Sequence, residues 1–283
     1  MTRRDSSPDF IEAIARGLDV IRAFGPGSPA MSLAAVANAS ELPRPTARRI
    51  LLTLEHLGYV RQLPAGSYEL TPRVLELGMS YVLSRGLWEV ARPHMEALVA
   101  RTRESSSIAQ LDGSDIVYVA RVAVPKIVTL AVTVGTRFPA LPTSLGKILL
   151  AALSNNDIER ALSIPSRSGI IPRWQPDAAE RATALREVRA RGWALTDEQL
   201  APGIRSAAVP LRDGDGQVIA ALNVNAHAAE TPLEVLTGTY LPMLLQTASA
   251  ISADWAAMQS TPQVILDSIV SSSGHFSGPR TGR

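Results

Sequence analysis

Apolar residues follow two rhythms along this chain. Up to about residue 104 they recur every three or four positions; beyond it they alternate or bunch in β-branched runs. Phe10, Ile14, Leu18 and Ile21 predict a helix over about 9–24, ended by "GPGSP". Ser32 suits the cap of a short helix over about 33–39, and "SELP" makes a turn. A third helix carries Pro45 in its first turn, where a missing N–H costs nothing, and runs to Gly58. Ile50, Leu54 and Leu57 form its apolar stripe. "YVRQLPAGSYELTP" then reads as two short strands about a Pro-Ala-Gly turn. Helix, helix, turn, helix, hairpin is the order of a winged helix-turn-helix. Pro72 opens a further helix to about 83, Gly86 interrupts it, and a longer helix follows over about 87–104.

The second half reads differently. "SSSIAQLD", "DIVYVARV" and "KIVTLAVTV" are predicted strands, with "DGSD" a tight turn between the first two. "TSLGKILLAAL" is a short helix and "DAAERATALREVRARG" a charged surface helix. "WALTD", "IRSAAVPLRD" and "QVIAALNVNA" are further strands, the last two joined through "DGDG", and a long helix runs from Pro232 to about Met258. The expected fold class is α+β: an N-terminal winged helix-turn-helix, a linker helix, and a C-terminal domain of strands flanked by helices. The expected divisions are a disordered arm (1–8), the winged helix (9–72), the linker helix (73–86), the second domain (87–258) and a disordered tail rich in Ser, Gly and Pro (259–283).

Composition sharpens the first domain. A net charge of +2 does not make a polycation, but the charge is focused: residues 1–63 hold eight Arg against six acids. Within 44–61, Arg44, Arg48, Arg49 and Arg61 face one acid, Glu55. Of the 28 basic groups 26 are Arg, the residue suited to two-pronged contacts with guanine or phosphate. In helix-turn-helix docking the first turns of the third helix meet base edges and phosphates, which nominates Arg44, Thr46, Arg48 and Arg49. Arg61, opening the hairpin, and Arg16 are candidate phosphate contacts. The partner these residues point to is double-stranded DNA. A solvated basic face, or a winged helix used for protein contact, is the competing reading. Which arginine reads a base is left open by the spacing.

Other chemistries lack their residues. With no cysteine there is no disulfide, thiolate site or cysteine nucleophile, and four histidines far apart in sequence have no metal-ligand spacing. No G-x-S-x-G elbow, H-E-x-x-H or P-loop occurs, so an enzyme is the disfavoured alternative, with no catalytic residue, metal or cofactor nominated. The N-terminus lacks the apolar core of a signal peptide and no apolar run reaches about 18 residues, so no membrane span is expected and the cytoplasm is the expected location. What remains is binding. "TSLG" puts Ser144, Leu145 and Gly146 at a helix start, where backbone N–H groups favour an anion. Asn223 and Asn225 share one sheet face otherwise made of Ala, Leu and Val, and their amides need partners that a ligand or water can supply. Ser144 can equally cap its helix, and Asn225 can pair with loop backbone.

"AIARGLDVIRAF", "LAAVANASELPRPTARRILLTLEHLGYV" and "YELTPRVLELG" resemble the N-terminal domain of IclR-family transcriptional regulators. "TSLGKILLAAL" and "RGWALTDEQLAPGIRSAAVPL" resemble that family's effector-loop segment and C-terminal signature, so the resemblance spans about residues 9–258. "DIVYVARV" and "VGTRFPALPTSLGKILLA" look most like the PobR- and PcaR-type branch, which governs aromatic-acid breakdown. "AVPKIVTLAV" replaces a more arginine-rich stretch of that branch, and Lys147 stands where Arg is common. The resemblance implies a GAF-like effector domain, a small organic acid as effector, a palindromic operator, and homodimers that often pair into tetramers. By family position it implies Ser144, Leu145, Ile204, Ser206, Asn223 and Asn225 as effector-lining residues, with Asp197 beside another such position that Thr196 occupies. The branch makes Arg137, in "GTRFPA", a candidate counter-charge for the acid, an interface or surface role being its other reading.

Overall fold

The computed structural model describes residues 9–25, 27–78, 86–125 and 132–260, and the chain divides into two compact units, 1–85 and 86–283. The expected arm (1–8), most of the tail and the second half of the linker helix lie outside the described residues, as does most of the strand expected over 126–134. The end of that strand, 132–134, is not in strand conformation.

The first unit runs α1 (Glu12–Ala23), β1 (Ala30–Ser32), α2 (Leu33–Ala39), α3 (Arg44–His56), β2 (Val60–Gln62), β3 (Ser67–Leu70) and a 3₁₀ turn, Pro72–Leu75. The Ser32 hydroxyl accepts the Ala35 N–H and caps α2. β2 and β3 form the wing hairpin, and β1 adds a third antiparallel strand on the far side of β3. That three-residue strand is too short to show any alternation, and its partner is about forty residues away. Val20, Val36, Ala37, Ala47, Leu51, Leu54, Val60 and Tyr68 close the core. The buried stripe of α3 is Ala47, Leu51 and Leu54, with Ile50 on its margin. Leu57, expected on the stripe, is exposed because the helix ends at His56 and the chain leaves its period. The unit is a winged helix-turn-helix.

The second unit contains α4 (Leu87–Thr102), β4 (Ser105–Asp112), β5 (Asp115–Val122), β6 (Arg137–Pro139), α5 (Ser144–Ala151), α6 (Asn155–Leu162), α7 (Ala178–Arg191), β7 (Ala194–Asp197), β8 (Ile204–Arg212) and β9 (Val218–His227). It ends in α8 (Leu241–Ser260), entered through a helical turn, Leu233–Val235, and one π-helical stretch, Leu236–Tyr240. The strands form one antiparallel sheet in the order β6-β5-β4-β9-β8-β7. One face, with Ile108, Ala120, Val209, Leu222 and Val224, packs on α4 and α8. The other, with Ala109, Ile116, Tyr118, Ala208 and Ala221, packs on α5 and α7. β6 and α6 have no counterpart among the sequence-predicted elements; three residues are too few for a period, and α6 is announced only by its Ser154 cap.

Gly146 lets the first turn of α5 sit tightly against the turn that leads into it, at Ala140. A Cβ at that position would overlap the Ala140 carbonyl. Gly146→Ala should therefore lower unfolding stability by about 3 kcal/mol, or leave the protein insoluble, where an ordinary helix position would gain from the same change. Urea denaturation checks this; an unchanged midpoint would contradict the close approach.

Candidate DNA interface and ligand cleft

α3 starts after Pro43, with Pro45 in its first turn fixing the backbone angle a helix needs. Arg44, Arg48 and Arg49 are all exposed, and none has an ion-pair partner among the described residues. Thr46 sits between them, half-buried. Three unneutralised guanidinium groups on the first two turns of one helix make a local positive field that water alone screens. The other two candidates are held differently. Arg61 pairs with Glu69 directly across the wing hairpin, and Arg16 pairs with Glu12 one turn back on α1. Their charge is partly matched, so they stand apart from the free cluster.

The second unit holds a cleft between the first turn of α5 and the sheet, with about 380 Å³ of space that includes its open mouth. Ser144, Leu145, Ile204, Ser206, Asn223 and Asn225 line it, together with Tyr118, Val132, Phe138, Pro142, Thr143, Thr196 and Leu200. The wall is thus half hydroxyl and amide, half aliphatic and aromatic; Tyr118 and Phe138 meet edge to face at 5.8 Å. A continuous polar row crosses it. Ser144 and Ser206 hydroxyls are 2.5 Å apart, Asn223 Nδ2 donates to Ser206 Oγ and Asn225 Oδ1, and Asn223 Oδ1 accepts the Ser107 N–H at 3.0 Å. Thr143, not Ser144, caps α5, its hydroxyl accepting the Gly146 N–H at 3.0 Å. The N–H groups of Ser144 and Leu145 have no intramolecular acceptor among the described residues, which keeps them available to an anion.

Three nominated residues do not line the cleft. Gly146 spends its N–H on Thr143 and its missing side chain on Ala140. Arg137 pairs with Asp112 and approaches Asp115 at 3.7 Å, which ties it to the β4–β5 turn. Its guanidinium beside Asp112 holds that carboxyl below its ordinary range. Asp197 faces away because β7 alternates: Thr196 is buried toward the cleft, and Asp197 pairs with Arg205.

Two residues that the sequence reading did not single out matter here, Tyr118 and Arg121. In a regular strand residues three apart face opposite ways. β5 carries one extra residue against β4, since Ile108 pairs with Ala120 but Ala109 with Tyr118. This bulge turns Tyr118 and Arg121 to the same side. Arg121 Nη1 donates to Ser107 Oγ at 3.1 Å, one link behind Asn223, and its Nε is buried without a hydrogen-bond partner among the described residues. Burial lowers the Arg121 proton affinity, with partial relief from Tyr118. Burial pushes the Tyr118 phenol up to about 12, against the pull of Arg121 and of a hydrogen bond to Asn225. Only a bulge links the two in "DIVYVARV", and bulges leave no residue signature there.

Among the described residues there is no group of three or more potential metal ligands, and no helix is long and apolar enough to cross a membrane. The chain matches the model of the IclR helix-turn-helix domain over residues 13–64 and that of the bacterial transcriptional regulator IclR C-terminal domain over residues 79–253. It is 38% identical to the Pca regulon regulatory protein of Pseudomonas putida, over 84% of this chain and 82% of that protein. It is 32% identical to the p-hydroxybenzoate hydroxylase transcriptional activator of Acinetobacter baylyi, over 86% of this chain and 91% of that one. A solved IclR homolog from Microbacterium hydrocarbonoxydans, complexed with 4-hydroxybenzoate, superposes with a TM-score of 0.74 at 26% identity, covering 87% of this chain and 99% of the other.

Asn223 is the most connected side chain of the polar row. Asn223→Leu leaves the Ser107 N–H and the Ser206 hydroxyl short of partners in a buried place, so stability should fall by about 2 kcal/mol. Equilibrium urea unfolding reads this, and a variant as stable as the parent would mean the row is dispensable to the fold.

Proposed function

The chain belongs to the IclR family of bacterial transcriptional regulators, and on that basis we propose that it binds its operator through α3 and is switched by a small aromatic acid in the α5 cleft. It is a ligand-responsive DNA-binding regulator and not an enzyme. The relatives named for the Pca regulon and for p-hydroxybenzoate hydroxylase, and the homolog holding 4-hydroxybenzoate, support an aromatic-acid effector and target genes for its catabolism.

The observation that carries the effector reading is the cleft's polar row backed by an unmatched cation. Arg121 keeps a buried N–H without a partner among the described residues, and a buried unpaired donor is costly. A carboxylate drawn by the free N–H groups at the start of α5 and by the Arg121 charge would use both. The apolar side of the wall, Tyr118, Phe138 and Leu145, suits a flat ring. Arg137, tied to two aspartates, is replaced by Arg121 as the counter-charge.

Arg44, Thr46, Arg48 and Arg49 would enter the major groove, with Arg61 and Arg16 reaching phosphate once released from Glu69 and Glu12. A palindromic operator calls for a second copy. The exposed Ile14 and Leu18 on one side of α1, with Ile11 at its N-cap, support a homodimer, which can pair again into a tetramer. A cytoplasmic location follows from action on DNA.

The effector reading is tested by calorimetry with 4-hydroxybenzoate and protocatechuate. Arg121→Met should weaken binding about tenfold or more while leaving unfolding stability equal or higher, because a half-buried charge with an unsatisfied Nε–H is removed. Equal affinity in parent and variant would remove Arg121 from the site. For DNA, the double variant Arg48→Ala, Arg49→Ala should lose affinity for the gene's own upstream region. Its dependence on salt should flatten by roughly one unit of log–log slope for each phosphate no longer neutralised. Undiminished binding at every salt concentration would contradict the α3 assignment.

A further inference from the structure

Lys147 is a cation that the site described so far does not use. It lies on α5, one turn past the residues that line the cleft, and is only 4% exposed. Its Nζ donates to Gln199 Oε1 at 2.5 Å, approaches the Leu195 carbonyl at 3.5 Å, and stands 4.6 Å from the centre of the Trp174 ring. None of these groups carries a negative charge.

Gln199 belongs to the segment 198–203, which joins β7 to β8 and hangs over the cleft. Leu200 of this segment lines the cleft, as do Thr196 and Ile204 at its two ends. The segment is closed on itself: Glu198 adopts a left-handed backbone with φ of 53°, gives its N–H to the Ile204 carbonyl, and accepts the Gly203 N–H on its carboxylate. It is clipped from outside by the Trp174 N–H on the Gln199 carbonyl at 2.9 Å and the Arg173 N–H on the Leu200 carbonyl at 3.3 Å. A unit so internally bonded moves as one piece, and what fixes it to α5 is Gln199 on Lys147.

We propose that residues 198–203 form a flap over the ligand cleft, and that Gln199 receiving the Lys147 ammonium sets its closed position, so that closing the cleft and burying this charge are one event. Lys147 and Gln199 are then positioning residues: they touch no ligand but decide whether Leu200 covers it. The proposal rests on the reading of the cleft as an effector site.

Charge balance around Lys147 supports the coupling. Burial foremost, and then Arg191 of α7, lower its pKa from the ordinary 10.5 to about 8 against the opposing pull of Glu187 of α7. On the flap, Glu198 is occupied by Gly203 and Arg173, and Asp197 by Arg205, so neither neutralises the ammonium. Opening the flap returns Lys147 to water and to its ordinary proton affinity. The open state then binds more protons than the closed one above about pH 8, so closure strengthens as pH rises through that range.

Hydrogen exchange of the ligand-free full chain tests this at the backbone amides of Glu198, Gly203 and Trp174. Gln199→Leu leaves the buried ammonium only the long contact to the Leu195 carbonyl and should cut protection of these amides about tenfold or more, with α7 and the sheet unchanged. The double variant Lys147→Met, Gln199→Leu replaces both partners by apolar groups and should restore it. Between pH 7 and pH 9 the ratio of flap protection in the parent to that in Lys147→Met should rise about tenfold. Parental protection in Gln199→Leu, a loss spread evenly over the whole unit, or a pH-independent ratio would overturn the proposal. None of these readouts contains an effector, so failure of every aromatic acid to bind would remove the effector reading separately.

Discussion

Asn223 is buried to 1% exposure in the middle of a sheet, and it has no choice but to be satisfied by its neighbours. Its carbonyl oxygen takes the Ser107 N–H, its amide nitrogen serves Ser206 and Asn225, and its backbone carbonyl accepts the Ser106 hydroxyl at 2.7 Å. Through Ser206 and Ser144 the row reaches α5, and through Ser107 it reaches Arg121. The surrounding positions on this face are Ala109, Ala208 and Ala221, small enough to leave room above the row. Room, donors and one distant cation are what a small anion needs, and they exist because a polar residue stands where an apolar strand would have continued the core.

The same sheet explains how one side can bind while the other holds. The face against α4 and α8 is filled by Ile, Val, Leu and Ala apart from Ser106, whose hydroxyl is turned onto a backbone carbonyl, and it carries the larger apolar cluster. The face against α5 trades some of that burial for a cleft. At the helix start Gly146 leaves room for the Ala140 carbonyl and Thr143 supplies the cap, so the N–H groups of Ser144 and Leu145 are what that start leaves open. In the winged helix a similar division holds: Ala47, Leu51 and Leu54 anchor α3, and Arg44, Arg48 and Arg49 are left outward and unneutralised.

Elements with a sustained period were legible in the sequence to within a few residues, among them α2, α3, α7 and the strands β4, β5, β8 and β9. So was the pairing of Asn223 with Asn225, because a period of two needs no tertiary knowledge. Short elements were not: β1, β6 and α6 offer too few residues for a pattern. Arg137 and Arg121 mark the physical limit for the site. Both are single arginines on neighbouring strands and neither lines the cleft; which one reaches the polar row, through Ser107, depends on one extra residue in β5 and on two aspartates at a turn. The resemblance carried Ser144, Ser206 and Ile204 into the cleft, whereas Tyr118, Thr143 and Leu200 emerge only once strand register and the 198–203 segment are in space.

If the half-buried Arg121 and the polar row before it receive the acid end of an effector, the buried side-chain Nε–H of Arg121 must sense its arrival. Nitrogen–proton correlation spectroscopy during titration with 4-hydroxybenzoate follows that group by itself. A saturable displacement of this one resonance is expected, together with the Asn223 and Asn225 side-chain amides. An acid that binds while these three resonances stay in place would contradict the assignment.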